Sequence, residues 1–260
     1  MIVSEKDNKK IFDDNALAIE IIELSLLLEA MYQRYGYDFR DYAMTSMKRR
    51  VQLAMSKEAV STISAYQERI LHDEKAIVRF LDDVSVTVTA IFRDPDFYKA
   101  LRDKVLPTLQ EGLLNHSKCY ATDMNQRSLD IGKQGIYPIK KMKAYTGNYQ
   151  NAGGKDAFSN YYVAKYEHVI LKEFLRNNIV WAQHNLVSDS SFNEFHLILC
   201  RNVMIYFNRT LQNRVHHLIY NSLTIGGVLG LGRGETLQFT PYEECYEVID
   251  RFEKIYRKIR

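Results

Sequence analysis

The sequence predicts an α/β protein: a small all-helical domain at the N-terminus, followed by a doubly wound, Rossmann-like domain. The first 85 residues carry apolar side chains at helical spacing and contain no proline. After residue 90, short apolar runs alternate with helical stretches, which is typical of a parallel sheet covered on both faces. We therefore expect a helical domain over residues 1–85 and the α/β domain over residues 86–260, with an inserted subdomain near residues 137–178.

Composition narrows the class of protein. The chain has 260 residues, of which 46% are hydrophobic and 26% charged, as in ordinary soluble globular proteins. A net charge of +3 is too small to indicate a nucleic-acid partner or a membrane-surface protein. No run approaches the ~18 apolar residues that a membrane span needs, and the N-terminus lacks the apolar core of a signal peptide. We expect a cytoplasmic protein without nucleic-acid binding or membrane insertion.

The helical domain divides into four predicted helices. The first covers residues 16–34, with an N-cap at Asp14 and Asn15. Its apolar stripe contains Ile19, Ile22, Leu26, Leu27 and Met31. The other three cover residues 42–55, 61–71 and 74–83, and the first of them carries Lys48, Arg49 and Arg50. Such a basic triplet is either a solvated helix face or a docking surface for an acidic partner.

The α/β domain is predicted to start with a helix from Pro95 to Pro107, since proline suits the first helical turn. Predicted strands then cover residues 119–122, 179–183, 195–200 and 228–231, a last strand or hairpin lies in residues 245–258, and helices cover residues 125–133 and 209–223. The pair Gly226-Gly227 is expected to stop the last of these helices.

Cysteine and histidine spacing gives no sign of a metal site. Cys119, Cys200 and Cys245 are far apart and form no CxxC pair, which excludes zinc-ribbon and thioredoxin-type motifs. No HExxH motif occurs. We predict buried free thiols and no metal.

Polar residues follow three of the predicted strands: Asp123, Asn185 and the pair Arg201-Asn202. In an open α/β sheet, ligands bind at the carboxyl ends of the strands. An acid at the end of an early strand can accept hydrogen bonds from ribose hydroxyls. The alternative is that these residues only cap the helices that follow, which Asp and Asn do well.

Two further segments could contribute to a ligand site. Tyr206 offers an aromatic face and a hydroxyl shortly after a buried strand. Thr87, Thr89 and Arg93 alternate as if they lined one side of an extended strand facing a cleft. The alternatives are a tyrosine at the edge of the core and a linker with a surface arginine.

These segments resemble the CheR-type chemotaxis methyltransferases, which use S-adenosylmethionine to esterify glutamate side chains of receptors. The most specific matches are LILCRNVMIYFNRTLQ at residues 197–212 and TAIFRDPDFY at residues 89–98. The helical region, with YGYDF at residues 35–39 and its basic triplet, is similar to the N-terminal domain of that family. The resemblance implies a protein-glutamate O-methyltransferase. Its partners would be acidic helical segments of methyl-accepting chemotaxis receptors, with a response regulator as a further candidate.

The resemblance also assigns site residues. Arg93 and Tyr206 match the catalytic positions, with Arg93 close to the transferred methyl group. The cofactor contacts would be Thr87, Thr89, Arg93, Asp123, Asn185, Leu186, Arg201 and Asn202. A glutamate carboxylate is already a nucleophile at pH 7, so the work expected of the enzyme is positioning and electrostatic steering.

One departure from the family is serious. Members carry a strand, a glycine-containing loop and a helix, about 30 residues by the size of a βαβ unit, that this chain lacks before Asp123, and none of its 12 glycines forms a GxGxxG. The strands ending at Asp123 and Cys200 should then pair directly or recruit other backbone, because a gap would leave buried groups unpaired at ~1–3 kcal/mol each.

The loss has a functional consequence as well. Without the loop, affinity for S-adenosylmethionine should fall sharply, which leaves a non-catalytic receptor- or regulator-binding module as the alternative function. A DNA amino-methyltransferase is disfavoured, since all four prolines are isolated and no Asn-Pro-Pro or Asp-Pro-Pro motif exists.

Overall fold

The structure is a computed structural model that describes residues 5–84, 90–109 and 117–260, with side chains from residue 17 onward. The chain divides into two compact units. The helical unit contains residues 1–85 and 206–211, and the α/β unit contains residues 86–205 and 212–260. The predicted architecture, a small all-α domain followed by an α/β domain, is confirmed.

The helical unit is built from four helices: α1 (Glu5–Tyr35), α2 (Met44–Lys57), α3 (Ile63–His72) and α4 (Glu74–Val84). The predicted start of the first helix at Asp14 and Asn15 is wrong, because α1 begins at Glu5 and runs through both residues. Neither glycine nor proline interrupts this stretch. The helix ends before Gly36, which has a φ of 77° and donates its N–H to the Tyr32 carbonyl at 2.8 Å.

The predicted apolar stripe of α1 is only partly correct. Leu27 and Met31 are buried, together with Leu24 and Leu28. The other three predicted members, Ile19, Ile22 and Leu26, are exposed at 58%, 58% and 55%. The sequence is apolar over more of the helix circumference than the core covers.

The α/β unit opens with α5 (Pro95–Ala100), which continues through a π-helical turn (Leu101–Val105) and a 3-10 turn (Leu106–Thr108). Its further helices are α6 (Gln126–Gln134), α7 (Met142–Asn151) and α8 (Arg209–Ser222), of which α8 begins in residues of the helical unit. Its strands are β1 (Cys119–Asp123), β2 (Ile136–Pro138), β3 (Tyr162–Lys165), β4 (His168–Leu171), β5 (Ile179–Gln183), β6 (Phe195–Cys200), β7 (Leu223–Leu231), β8 (Tyr246–Asp250) and β9 (Ile255–Lys258).

The prediction that Gly226 and Gly227 stop the preceding helix is wrong, because both glycines lie inside β7.

The described strands form three sheets. β1 and β5 pair in parallel, and β6, β7, β9 and β8 form a mixed sheet in that order, with β6 parallel to β7. β2, β4 and β3 form an antiparallel sheet within the region predicted to be inserted. Among the described residues β1 pairs only with β5 and β6 only with β7, so the strands ending at Asp123 and Cys200 do not pair directly, which was one of the two expected arrangements.

In the described part of the chain, side chains lie between β1 and β6. The Tyr120 ring contacts the rings of Phe192 and Phe195, with centroids 5.8 and 5.7 Å apart. A cavity of about 150 Å³ lies beside them, lined also by Thr122 and Leu199, and we call it the β1–β6 slot. Leu199 is 45% exposed although a central strand of an α/β sheet is normally buried on both faces.

The core of the α/β unit packs α5 and the turns that continue it against the mixed sheet, through Phe97, Val105, Val228 and Ile255.

The three free cysteines differ from the prediction of buried thiols: Cys200 is buried, Cys245 is half-buried and Cys119 is exposed at the start of β1. In the described part of the chain, no helix combines the length and apolar character needed to cross a membrane.

Candidate functional site

The parallel pairing of β1 and β5 brings two of the predicted site residues to one edge. Asp123 ends β1 opposite Gln183, the last residue of β5, and the N–H of His184 donates to the Asp123 carbonyl at 3.1 Å. Asn185 follows directly. The Asp123 carboxylate accepts the N–H of Asn125 at 2.8 Å. Its half-buried position raises its pKa, against the opposing effect of that N–H.

Capping is divided among neighbouring residues. The N-cap of α6 is Asn125, whose side chain accepts the N–H of Arg127 at 2.9 Å, so Asp123 lies two residues before the capping position. Asn185 holds a turn of its own: its side-chain oxygen accepts the N–H of Val187 at 3.0 Å. The next residue, Leu186, lines the β1–β6 slot. These strand-end groups are therefore oriented by short-range turns.

The end of β6 is held by contacts from distant parts of the α/β unit. The Arg201 guanidinium pairs with Asp94 at 2.8 Å and lies 3.8 Å from the ring centroid of Phe97. It also donates to the backbone carbonyls of Arg93 and Leu231, both at 3.3 Å. Its side chain is only 10% exposed. Arg201 therefore ties the turn before α5 to the ends of β6 and β7.

That turn carries Arg93, whose own side chain is exposed. The residues on either side of it, Phe92 and Asp94, have φ angles of 53° and 55°. Asn202, directly after Arg201, has a φ of 61°. Such angles are uncommon for non-glycine residues, and strained backbone of this kind concentrates at functional sites. Thr87 and Thr89, the other residues predicted on this segment, lie outside the described residues.

A residue missed by sequence reasoning, Glu235, organises the turn after β6. It is 5% exposed, and its carboxylate accepts the N–H groups of Asn202, Val203 and Met204 at 2.9, 2.8 and 2.8 Å. It also accepts the N–H of Gly232 at 2.6 Å. The available signal was an acid placed just after the glycine-flanked end of a buried strand, at Gly232-Arg233-Gly234-Glu235.

Tyr206 lies in the helical unit. The Arg50 guanidinium carbon is 4.4 Å from the centroid of its ring, within cation–π range. The Tyr206 carbonyl accepts the N–H of Ala43 at 2.8 Å, and the next residue, Phe207, packs edge-on against Tyr42 with ring centroids 4.9 Å apart. Tyr206 is therefore half-buried beside the basic helix α2.

The basic triplet on α2 is not uniform. Burial lowers the pKa of Arg50, which donates to the Val84 carbonyl. Lys48 pairs with Glu20 at 2.7 Å, and Arg49 is exposed. The picture of a fully solvated basic face is therefore wrong for Arg50.

Comparison with known proteins gives two family matches. The CheR methyltransferase SAM-binding domain matches residues 111–250, and the all-alpha domain of the same family matches residues 22–85. The Cher3 protein of Pseudomonas putida is 40% identical over 91% of this chain and 97% of its own length. That alignment spans 264 positions, more than this chain has residues, so Cher3 contains residues that have no counterpart here.

More distant relatives agree. The chemotaxis protein methyltransferase of Listeria monocytogenes is 25% identical over 78% of this chain and 85% of its own length. That of Borreliella burgdorferi is 23% identical over 83% of this chain and 88% of its own length. With both domains matched in the order that the structure shows, the chain belongs to the CheR methyltransferase family.

Proposed function

We propose that this chain transfers a methyl group from S-adenosylmethionine to glutamate side chains of chemotaxis receptors. The observation that carries the proposal is the parallel β1–β5 pair, which puts Asp123 and Asn185 at one edge of the α/β unit. Family membership supplies the reaction type. The proposal includes the cytoplasm as the place of action.

The residues at the β1–β5 end fit the nucleoside part of the cofactor. The Asp123 carboxylate is half-buried and uses one oxygen for the N–H of Asn125, which leaves acceptor capacity for ribose or adenine donors. Asn185 and Leu186 would flank the adenine ring. The bound cofactor would supply an electrophilic methyl group on a sulfonium.

Arg93 and Tyr206 would act on the reacting groups. The substrate carboxylate needs no strong base at pH 7, so orientation and charge steering would be the main contributions of the protein. Arg93 is exposed and sits on a strained turn, as a residue that receives a ligand would. Arg201 would hold that turn, since its donors are engaged by Asp94 and the backbone, and Asn202 would contact the cofactor beside it. Thr87 and Thr89 keep their roles as further proposed contacts.

The helical unit would dock the acidic receptor helices. Arg49 on α2 is exposed, and Arg50 stands against the ring of Tyr206, so a receptor glutamate reaching Tyr206 would meet positive charge. A response regulator remains a further candidate partner for the same surface.

One observation favours the alternative function, a docking module without catalysis. β1 and β6 do not pair with each other in the described residues, and the β1–β6 slot lies between them. Without the glycine-containing loop that the family resemblance implies, backbone approach to the methionine end of the cofactor would be weaker. Affinity would then fall while receptor docking persists.

Two measurements separate these functions. Calorimetric titration with S-adenosylmethionine, and radiolabelled methyl transfer to a receptor cytoplasmic fragment, should both give a signal if the enzyme is active. The Arg93→Ala variant should lose labelling and keep receptor pull-down, whereas Arg214→Ala, an exposed change on α8, should alter neither. Receptor pull-down by the unmodified chain with no labelling would establish the docking module instead.

A further inference from the structure

Glu235 is a buried carboxylate that the proposed chemistry does not use. We propose that it is a positioning residue: it fixes the turn at residues 201–204 and thereby sets where Arg93, Arg201 and Asn202 stand. This inference rests on the proposed function, because the residues it positions are those assigned to methyl transfer.

Four backbone N–H groups converge on the Glu235 carboxylate. Each Glu235 oxygen accepts two N–H groups: Oε2 takes those of Asn202 and Gly232, and Oε1 those of Val203 and Met204. The four donors come from the turns after β6 and β7, about 30 residues apart in sequence. Hydrogen bonds to a charged acceptor are stronger than those between neutral groups. One carboxylate therefore joins the ends of two parallel strands.

The backbone at Asn202 and Gly232 adopts the conformation that lets both turns reach this carboxylate. Asn202 adopts a φ of 61°, an unfavourable angle that persists only where surroundings enforce it. A Cβ on Gly232 would lie 2.8 Å from both the Asn202 nitrogen and the Glu235 Oε2 atom. Glycine is thus required for the two turns to approach each other around the carboxylate.

Arg201 connects this turn to the proposed site. Asn202 is itself a donor to Glu235, and Arg201 precedes it directly. The Arg201 guanidinium in turn holds the carbonyl of Arg93 and the carboxylate of Asp94. A shift of the turn would therefore move Arg201 and, through it, the segment that carries Arg93.

Both the two carboxylate oxygens of Glu235 and the size of its side chain are needed to hold the turn. A glutamine has the same size but only one oxygen, so its amide group would face two of the four N–H donors and could not accept from them. Buried donors left without acceptors are costly. The Glu235→Gln variant should therefore loosen the turn without creating a cavity.

The test compares Glu235→Gln with Glu253→Gln. Glu253 is also buried, at 8% exposed, but pairs with the Arg233 side chain at 2.7 Å instead of backbone amides. We expect Glu235→Gln to weaken binding of S-adenosylhomocysteine by about tenfold or more in calorimetry. Glu253→Gln should change it far less. Hydrogen exchange at the amides of residues 202–204 should accelerate only in the first variant.

Chemical rescue separates positioning from general destabilisation. The Glu235→Ala variant leaves a space with the shape of acetate among the four donors, so added acetate should restore affinity and slow the exchange of those amides, whereas chloride at equal ionic strength should not. Cofactor affinity in Glu235→Gln equal to that of the unmodified chain would overturn the inference alone. An unmodified chain that binds no cofactor would overturn the proposed function, and the inference with it.

Discussion

The strand ends of the α/β unit fall into two regions that are held in different ways. At the β6–β7 end, Arg201 and Glu235 connect residues separated by 30 or more positions, and both side chains are largely buried. At the β1–β5 end, the Asp123 carboxylate and the Asn185 side chain each accept an N–H group from a residue two positions away, and the Asn185 N–H donates to Asp189, four positions away. Long-range contacts therefore orient the side chains of the first region, and local turns orient those of the second.

We propose that the difference follows from the absence of the strand that the family resemblance implies between β1 and β6. Among the described residues, the β1–β6 slot lies between these two strands. There β6 pairs with β7, whereas β1 and β5 pair only with each other. The carboxyl ends of β1 and β5 are the part of the site proposed to bind the nucleoside. The proposed loss of cofactor affinity would then affect the nucleoside side of the site as well as the methionine end.

The largest expected effect comes from removing the tie at the β6–β7 end. Arg201→Ala would leave Asp94 without its ion-pair partner in a mostly buried setting and remove the packing on Phe97. We expect a loss of about 3 kcal/mol in the free energy of unfolding, measured by urea denaturation.

The matched control for that change is Arg260→Ala, which breaks an exposed pair with Glu244 and should cost less than about 1 kcal/mol. Equal losses in the two variants would mean that the β6–β7 end is no more tightly held than the surface.

A smaller effect, that of Leu199→Ala, tests the slot. Leu199 on β6 is 45% exposed, whereas Leu229 on the neighbouring β7 is fully buried. Leu229→Ala should lower the free energy of unfolding by about 2–5 kcal/mol. Leu199→Ala should lower it by less than about 1.5 kcal/mol, because the Leu199 side chain is partly exposed to water in the folded protein. Thermal and urea unfolding of the two variants gives the comparison. A cost for Leu199→Ala that matches Leu229→Ala would show that the slot is filled in solution.

Sequence patterns located the strand ends that carry the proposed site because the signal is local. A buried apolar run followed by Asp123 or by Arg201 can be recognised within a window of ten residues, and both residues stand at strand ends in the structure. The exposure of Ile19 and Leu26 was not predictable in the same way. Helical periodicity says which side chains share a face, but not which of two apolar faces the core will cover.

Glu235 marks a second limit. Its four donors come from residues 202–204 and 232, so three of its four bonds span 31 to 33 positions and depend on the pairing of β6 with β7. No periodicity links an acid to backbone amides at that separation. Similarly, the contact of Tyr206 with Arg50 joins residues 156 positions apart, and only the fold brings them together.

The smallest expected effect is a pH dependence that differs in sign between two aspartates of the β1–β5 end. Burial raises the pKa of Asp123 above its ordinary value, so the unfolded chain ionises first as the pH rises, and the stability that Asp123 contributes is lost across that window. Asp189 is the opposite case: hydrogen bonds from the N–H of Asn185 and, to a smaller extent, from the Ser188 side chain lower its pKa. Its contribution to stability is therefore present at neutral pH and is lost on acidification.

Asp123→Asn should therefore gain stability, relative to the unmodified chain, between about pH 4 and pH 7, and Asp189→Asn should lose it, each by less than about 1 kcal/mol. Urea unfolding at both pH values measures the two differences. If both differences change with pH in the same direction, the β1–β5 end is not held by its local turns, and the contrast between the two strand ends is wrong.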